Sequence, residues 1–208
     1  MKNINQIKLN ELLGTAGTGK TTVRNTLLKQ YPNLVFSLDN LSINLFLIKY
    51  IHIYILIFIK GKNFKILKSL IAIHILLYNI DKNLYKEDTK FIFDHGPIFI
   101  ISQLIFEIPL MENLFLKELI RILKYYDEVI YLQAPSDILC LRINEREENH
   151  RIKDKSQNSQ KDFLNKYTDI FTKIIKICKE NNINVTIIDT NKNSITEVGE
   201  LVIERFKK

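Results

Sequence analysis

Three glycines, one lysine and four threonines fall within nine residues near the start of the chain, "GTAGTGKTT" from Gly14 to Thr22. Gly14, Gly19, Lys20 and Thr21 satisfy the spacing G-x-x-x-x-G-K-[ST]. That spacing serves anion binding. Glycines let the backbone bend until the N–H groups along Gly14, Thr15, Ala16, Gly17, Thr18 and Gly19 point inward at phosphate oxygens. The helix that follows adds the positive end of its dipole. Lys20 is placed to reach the β- and γ-phosphates of a nucleoside triphosphate, and the Thr21 hydroxyl to hold Mg²⁺. Glycine-rich turns also occur without any ligand, so context decides. An apolar stretch, "IKLNELLG", precedes this run, and Val23, Leu27, Leu28 and Tyr31 follow near helical spacing as far as Pro32. Strand, glycine loop and helix together make Gly14 to Thr22 a phosphate cradle.

A bound triphosphate leaves the reaction open, and later residues must supply it. In "FIFDHGP", Asp94 ends an apolar strand, and ligands of open parallel sheets collect beyond the carboxyl ends of strands. A carboxylate there holds a water of the magnesium shell or accepts a proton from an attacking hydroxyl; the alternative is a helix cap before Pro97. His95 either lines the same crevice or is a turn residue. In "LRINEREENHRIK", Arg142 and Arg146 stand four apart and would share a helix face, with Arg151 and Lys153 just beyond. Mobile cations closing over a transferring phosphoryl group stabilise its charge and exclude water. Interleaved Glu145, Glu147 and Glu148 allow the plainer reading of a solvated helix.

The elements that would position these groups alternate between strands and helices. Short, nearly continuous apolar strands are predicted at "IKLNELLG", "NLVFSLDN", "KFIFD" (90–94), "EVIYLQ" (128–133) and "NVTIID" (184–189). Between them, Leu114, Phe115, Leu119, Ile120 and Leu123 form one helical stripe. Phe163, Leu164, Tyr167, Ile170, Phe171, Ile174, Ile175 and Cys178 form another, opened by a capping box at Ser159 and Asp162. The alternation predicts an α/β fold with a parallel sheet. "DKNLYKEDTK" (81–90) and "KDKSQNSQ" (153–160) read as loops. Residues 41–59 are apolar at fifteen of nineteen positions. That approaches a membrane-spanning length, but Lys49 and His52 sit near the middle. With 64–80 the stretch reads as a helical hairpin that is buried, membrane-contacting or part of a homodimer interface.

At 208 residues, 46% hydrophobic and 25% charged, the chain fits a single domain over 1–208 with its own core. Its net charge of +7 suits an anionic partner, but 23 acidic residues accompany 30 basic ones and no basic–aromatic nucleic-acid motif stands out. Two cysteines, Cys140 and Cys178, and no apolar leader point to reduced thiols and a cytoplasmic protein.

"GTAGTGKTT", "FIFDHGP", "VIYLQAPSDILCLRINERE" and the late "IIDT" occur in this order across nearly the whole chain. Together they resemble a small P-loop kinase of the thymidylate kinase and deoxynucleoside kinase type. The resemblance implies a P-loop NTPase three-layer sandwich with a five-stranded parallel sheet in order 2-3-1-4-5. It implies a lid over 142–160, ATP with Mg²⁺ as donor, and a nucleoside, nucleoside monophosphate or other small molecule as acceptor. Lys20 and Thr21 match the donor site, Asp94 the acidic residue after strand three, and Arg142 and Arg146 the lid arginines. "IIDT" (187–190) matches the strand whose following loop lies near the adenine. His95 stands where thymidylate kinases carry an arginine. Asp39, in "FSLDN", stands near the glutamate base of deoxynucleoside kinases, so Asp39 and His95 are acceptor-side candidates. The apolar helices of 41–80 would wall the acceptor pocket. The alternative function is a nucleotide-dependent switch that docks a partner or membrane through the same residues.

Overall fold

The computed structural model describes residues 8–31, 35–37, 64–82, 90–147 and 150–207. Strands β1 (Lys8–Gly14), β2 (Val35–Ser37), β3 (Lys90–His95), β4 (Tyr126–Gln133) and β5 (Asn184–Asp189) form one sheet in order β2-β3-β1-β4-β5. Every pairing is parallel: Leu9 lies beside Phe91 and Leu12 beside Ile130, while Ile188 lies beside Leu132. β1 is therefore central, which delivers the glycine run to the middle of the sheet's carboxyl edge.

Period-two alternation sorts the apolar residues onto two faces. Leu12, Val23, Ile92, Ile130, Leu132 and Ile188 pack with Val198 and Val202. This is the layer of helices α1 (Lys20–Gln30) and α7 (Ile195–Lys207). Leu9, Leu13, Phe91, Phe93, Val129 and Tyr131 face the other way. They meet α2 (Phe64–Asp81), α3 (Pro97–Glu107), α4 (Glu112–Leu123) and the long α6 (Gln157–Glu180). Sheet and two helical layers make an α/β sandwich, with the larger core on the α3 side. A short third cluster joins α5 (Ser136–Asn144) to α6 through Leu139, Ile143, Ile152 and Leu164, with Ala16 of the glycine loop packed against it. That contact packs α5, Ile152 and α6 against the glycine loop.

Several expectations need correction. α6 begins at Gln157, so the end of the expected 153–160 loop is helical. Its cap is Ser156, whose Oγ accepts from the Ser159 N–H, so the Ser159/Asp162 capping box does not form. Ser156 was masked as a signal by the polar run around it. α5 ends at Asn144, so Arg146 lies beyond the helix and does not share a face with Arg142. Of the expected hairpin, residues 41–63 lie outside the described residues, as does Asp39. α2 itself is buried on most sides, including Ala72, Ile73, His74 and Leu76. No single helix among the described residues is long and apolar enough to cross a membrane.

Candidate active site

The glycine loop closes on itself through its own side chains. Gly17 and Gly19 both have φ of 86°, left-handed conformations that strain any residue with a Cβ. Gly14 tolerates no Cβ either, since one would lie 2.5 Å from Thr18 Oγ1. That hydroxyl is buried and donates to the Thr15 carbonyl at 2.9 Å. Lys20 folds back over the loop, and its Nζ donates to the carbonyls of Gly14 (2.5 Å) and Thr15 (3.1 Å). Burial lowers the Lys20 pKa to about 8, with Asp94 opposing that effect and Arg146 adding to it. An ammonium so poorly solvated gains from any nearby anion.

Two cavities meet on this loop. The larger, of about 590 Å³, lies between Gly17–Gly19, Arg142, Arg146 and the segment 190–195 after β5. The smaller, of about 350 Å³, is bordered by the loop, Lys20, Thr21, His95, Arg146 and Arg151. Phe99 and Gln103 of α3 and Phe163 and Tyr167 of α6 form its far side. Gly17, Gly19 and Arg146 line both. Among the described residues, the apolar walls of the second cavity come from α3 and α6. No described residue of α2 lines it, and residues 41–63 of the expected wall lie outside the described residues.

The predicted cations are placed differently from one another. Arg142 donates to Thr190 Oγ1 at 3.0 Å and to the Thr190 carbonyl at 2.8 Å, tying α5 to the loop after β5. It is a fixed wall of the larger cavity rather than a swinging group. Arg146 borders both cavities. Arg151 lies over the Phe163 ring, 4.4 Å from its centroid, and pairs with Glu107 at 3.1 Å. Lys153 points elsewhere: its Nζ bonds the Arg146 carbonyl, and it lines neither cavity. That bond ties Lys153 to the backbone at Arg146.

Asp94 is buried within β3, its Oδ2 3.4 Å from Arg24 Nε and 3.6 Å from His95 Nδ1. Burial pushes its carboxyl up, but His95 and Arg24 outweigh that and hold it below the usual carboxylate range. It borders neither cavity directly and acts on them through Lys20 and His95. His95 is half exposed and packs edge-on against Phe99 at 4.6 Å between centroids. Thr21 is exposed at the mouth of the smaller cavity. No group of three or more His, Cys, Asp or Glu gathers among the described residues.

One carboxylate escaped notice in the sequence. Glu11, fully buried in β1, accepts from the backbone N–H of Gly96 (3.1 Å), Ile98 (3.0 Å) and Phe99 (2.8 Å), and from the Tyr126 hydroxyl (2.5 Å). α3 has no side-chain cap of its own and no acidic residue in its first turn. A strand neighbour therefore caps it. Burial raises Glu11 to about 7 despite these four donors. The same contact dictates Gly96, because a Cβ there would lie 2.5 Å from Glu11 Oε2. The available signal was a lone glutamate inside the apolar run "KLNELLG" together with an uncapped "DHGP" helix start. Gln103, His150 and the α3/α6 aromatics were also missed. Their sequence signal is only a core-like stripe, and the cavity becomes visible once two helices are juxtaposed.

No protein-family profile and no curated protein matches this chain. Solved structures do. The chain is similar to deoxyadenosine kinase from M. mycoides with bound dATP, at 17% identity and a TM-score of 0.55, covering 96% of this chain and 100% of that one. The same enzyme with bound dCTP (15% identity) and with the products dCMP and a flexible dCDP (13%) matches at 0.55, covering 96% of this chain and 98% of each. The chain thus has a P-loop deoxynucleoside kinase-like fold.

Proposed function

We propose that this protein is an ATP-dependent phosphotransferase that moves the γ-phosphoryl group of ATP to a nucleoside or nucleoside monophosphate. The observation that carries the reading is the pair of cavities meeting on Gly17, Gly19 and Arg146. Two ligands seated there would abut at the phosphate loop. The larger cavity, between Arg142 and residues 190–195, suits the donor's base and ribose. The smaller presents Phe99, Phe163 and Tyr167 for stacking, with the Gln103 amide offering one donor and one acceptor. That combination suits a heterocyclic base better than a simple alcohol or a polyphosphate.

In this reading the loop N–H groups and Lys20 hold the β- and γ-phosphates. Lys20 exchanges its bonds to the Gly14 and Thr15 carbonyls for phosphate oxygens. An acceptor oxygen forms a bond to Pγ as the bond from Pγ to the β,γ-bridging oxygen breaks, and ADP leaves with that electron pair. A hydroxyl acceptor also gives up its proton, whereas a monophosphate acceptor has none to lose. Arg146 and Arg151 lie where charge builds on the transferring group. Mg²⁺ fits as an ion held mostly by phosphate and water, the usual habit of this cation. Thr21 would be the protein hydroxyl nearest the ion, and Asp94, kept ionised behind Lys20 and His95, would orient its water shell. Bound there, Mg²⁺ would neutralise charge on the β- and γ-phosphates.

The test is ADP release from ATP·Mg²⁺ with a panel of nucleosides, nucleoside monophosphates and small alcohols. Stimulation by a base-bearing acceptor, reduced about 10²-fold or more in Lys20→Ala, is expected. ATP turnover indifferent to every acceptor would sink the proposal.

A further inference from the structure

His150 opens the His150–Lys153 turn, stands in sequence between the two site arginines, and lines the smaller cavity beside Lys20, Arg146 and Arg151. Its Nδ1 is enclosed and has no hydrogen-bond partner among the described residues. A polar ring atom left unpaired in the interior costs free energy unless something else completes it. The titratable and charged groups around the cavity come from four elements: Lys20 of α1, His95 of β3, Tyr167 of α6, and Arg146 and Arg151 of the segment between α5 and α6. None of the described residues lining the cavity is a carboxylate. Glu107 is paired to Arg151 and Asp94 to Arg24, both outside the lining. Within this described lining, negative charge would arrive with a ligand, while Asp94 acts on Lys20 from outside it.

We infer that His150 is a further basic group of the phosphate site, neutral beside the site's cations alone and protonated once a polyphosphate joins them. Binding at the glycine loop thereby takes up a proton. The inference rests on the proposed phosphate-binding reading and adds a residue to it. Geometry supports it first: an incompletely bonded imidazole lies in the same cavity as the lysine. The electrostatics agree, since burial, then Arg146, Arg151 and Lys20, hold the ring below its ordinary pKa. A triphosphate reverses the sign of that field. It also supplies acceptor oxygens, and a protonated imidazole has two N–H donors to meet them.

The experiment is calorimetric titration of the full chain with ATP at several pH values, in buffers of different ionisation enthalpy, for wild type and His150→Gln. Protonation of ATP itself appears in both proteins and cancels in the difference. Wild type should take up an extra fraction of a proton near pH 7. Its affinity should fall about tenfold more than the variant's between pH 6 and 8.5, the effect of a one-unit rise in the histidine pKa. The chain has four histidines, so ¹⁵N-histidine spectra can follow the ring directly. The signal missing in His150→Gln should titrate below the ordinary value of about 6.5 without ATP and above it with ATP. Equal proton uptake in the two proteins, or a ring signal unmoved by ATP, overturns the inference while leaving the phosphate site standing. Wild type that fails to bind ATP overturns both.

Discussion

Glu11→Gln should remove a pH dependence from the protein's stability. In the folded chain Glu11 titrates at about 7, against 4.5 for the ordinary carboxyl, because burial disfavours its charge. A carboxyl raised in this way contributes stability that is fully present below the unfolded pKa. That stability is lost as pH rises through the folded one. A gap of roughly 2.5 units corresponds to about 3 kcal/mol. For a chain of 208 residues that is a fall in Tm of roughly 6–12 °C between pH 5 and pH 8. Asp94 and Glu118 are shifted downward, so their contributions are lost only in more acidic solution. His150, held below its ordinary value, adds stability as pH rises within this window, so the Glu11 effect is read from the difference between the two proteins. Glutamine keeps the side-chain shape and cannot ionise. Its amide N–H₂ must face some of the donors from Gly96, Ile98, Phe99 and Tyr126, so the variant should be less stable at pH 5 by about 1–3 kcal/mol. By pH 8 the gap should close or reverse. Denaturant melts of both proteins at half-unit pH steps measure it. Curves that run parallel from pH 5 to pH 8 would refute the assignment of this titration to Glu11.

Other substitutions probe the site piece by piece. Gly96→Ala drives a methyl against Glu11 and Phe93, whose Cβ would be 2.6 Å away, and should cost about 1–3 kcal/mol in denaturant melts. Arg142→Ala removes both bonds to Thr190 and loosens the wall of the larger cavity, so the ATP Kd should rise about tenfold for roughly 1.4 kcal/mol lost; an unchanged Kd counts against the donor-side assignment. Arg151→Ala should raise acceptor KM by roughly two- to fivefold, matching about 0.5–1 kcal/mol of ring stacking. Its exposed pair with Glu107 is worth little, so thermal melts should barely move.

Local chemistry made some of this protein legible in one dimension. The glycine–lysine loop is a contiguous run whose φ angles and spacing are set by the backbone itself, so the strand–loop–helix turn at Gly14 to Thr22 was legible without the rest of the fold. The strands were legible for a similar reason: residues buried on both faces must be apolar almost without a break, as in Phe91–Phe93 of β3 and Val129–Leu132 of β4. The cap of α6 was missed because two serines, Ser156 and Ser159, compete within a few residues and only the helix's actual first turn decides between them. Arg142 and Arg146 looked equivalent by spacing, yet α5 stops between them. One became a fixed wall and the other a residue shared by two cavities.

The sequence by itself determined the glycine–lysine run after β1, the alternation of strands and helices, and the presence of cations after β4. Only the tertiary structure decided which groups those features serve. Glu11 and Gly96 are 85 positions apart, and no local rule couples a strand glutamate to an uncapped helix on another strand's far side. Phe99, Gln103, Phe163 and Tyr167 read as parts of ordinary helical stripes until α3 and α6 are set side by side above the loop. Backbone conformation is governed by neighbours in the chain, whereas cavities, charge balance and proton affinity are governed by neighbours in space.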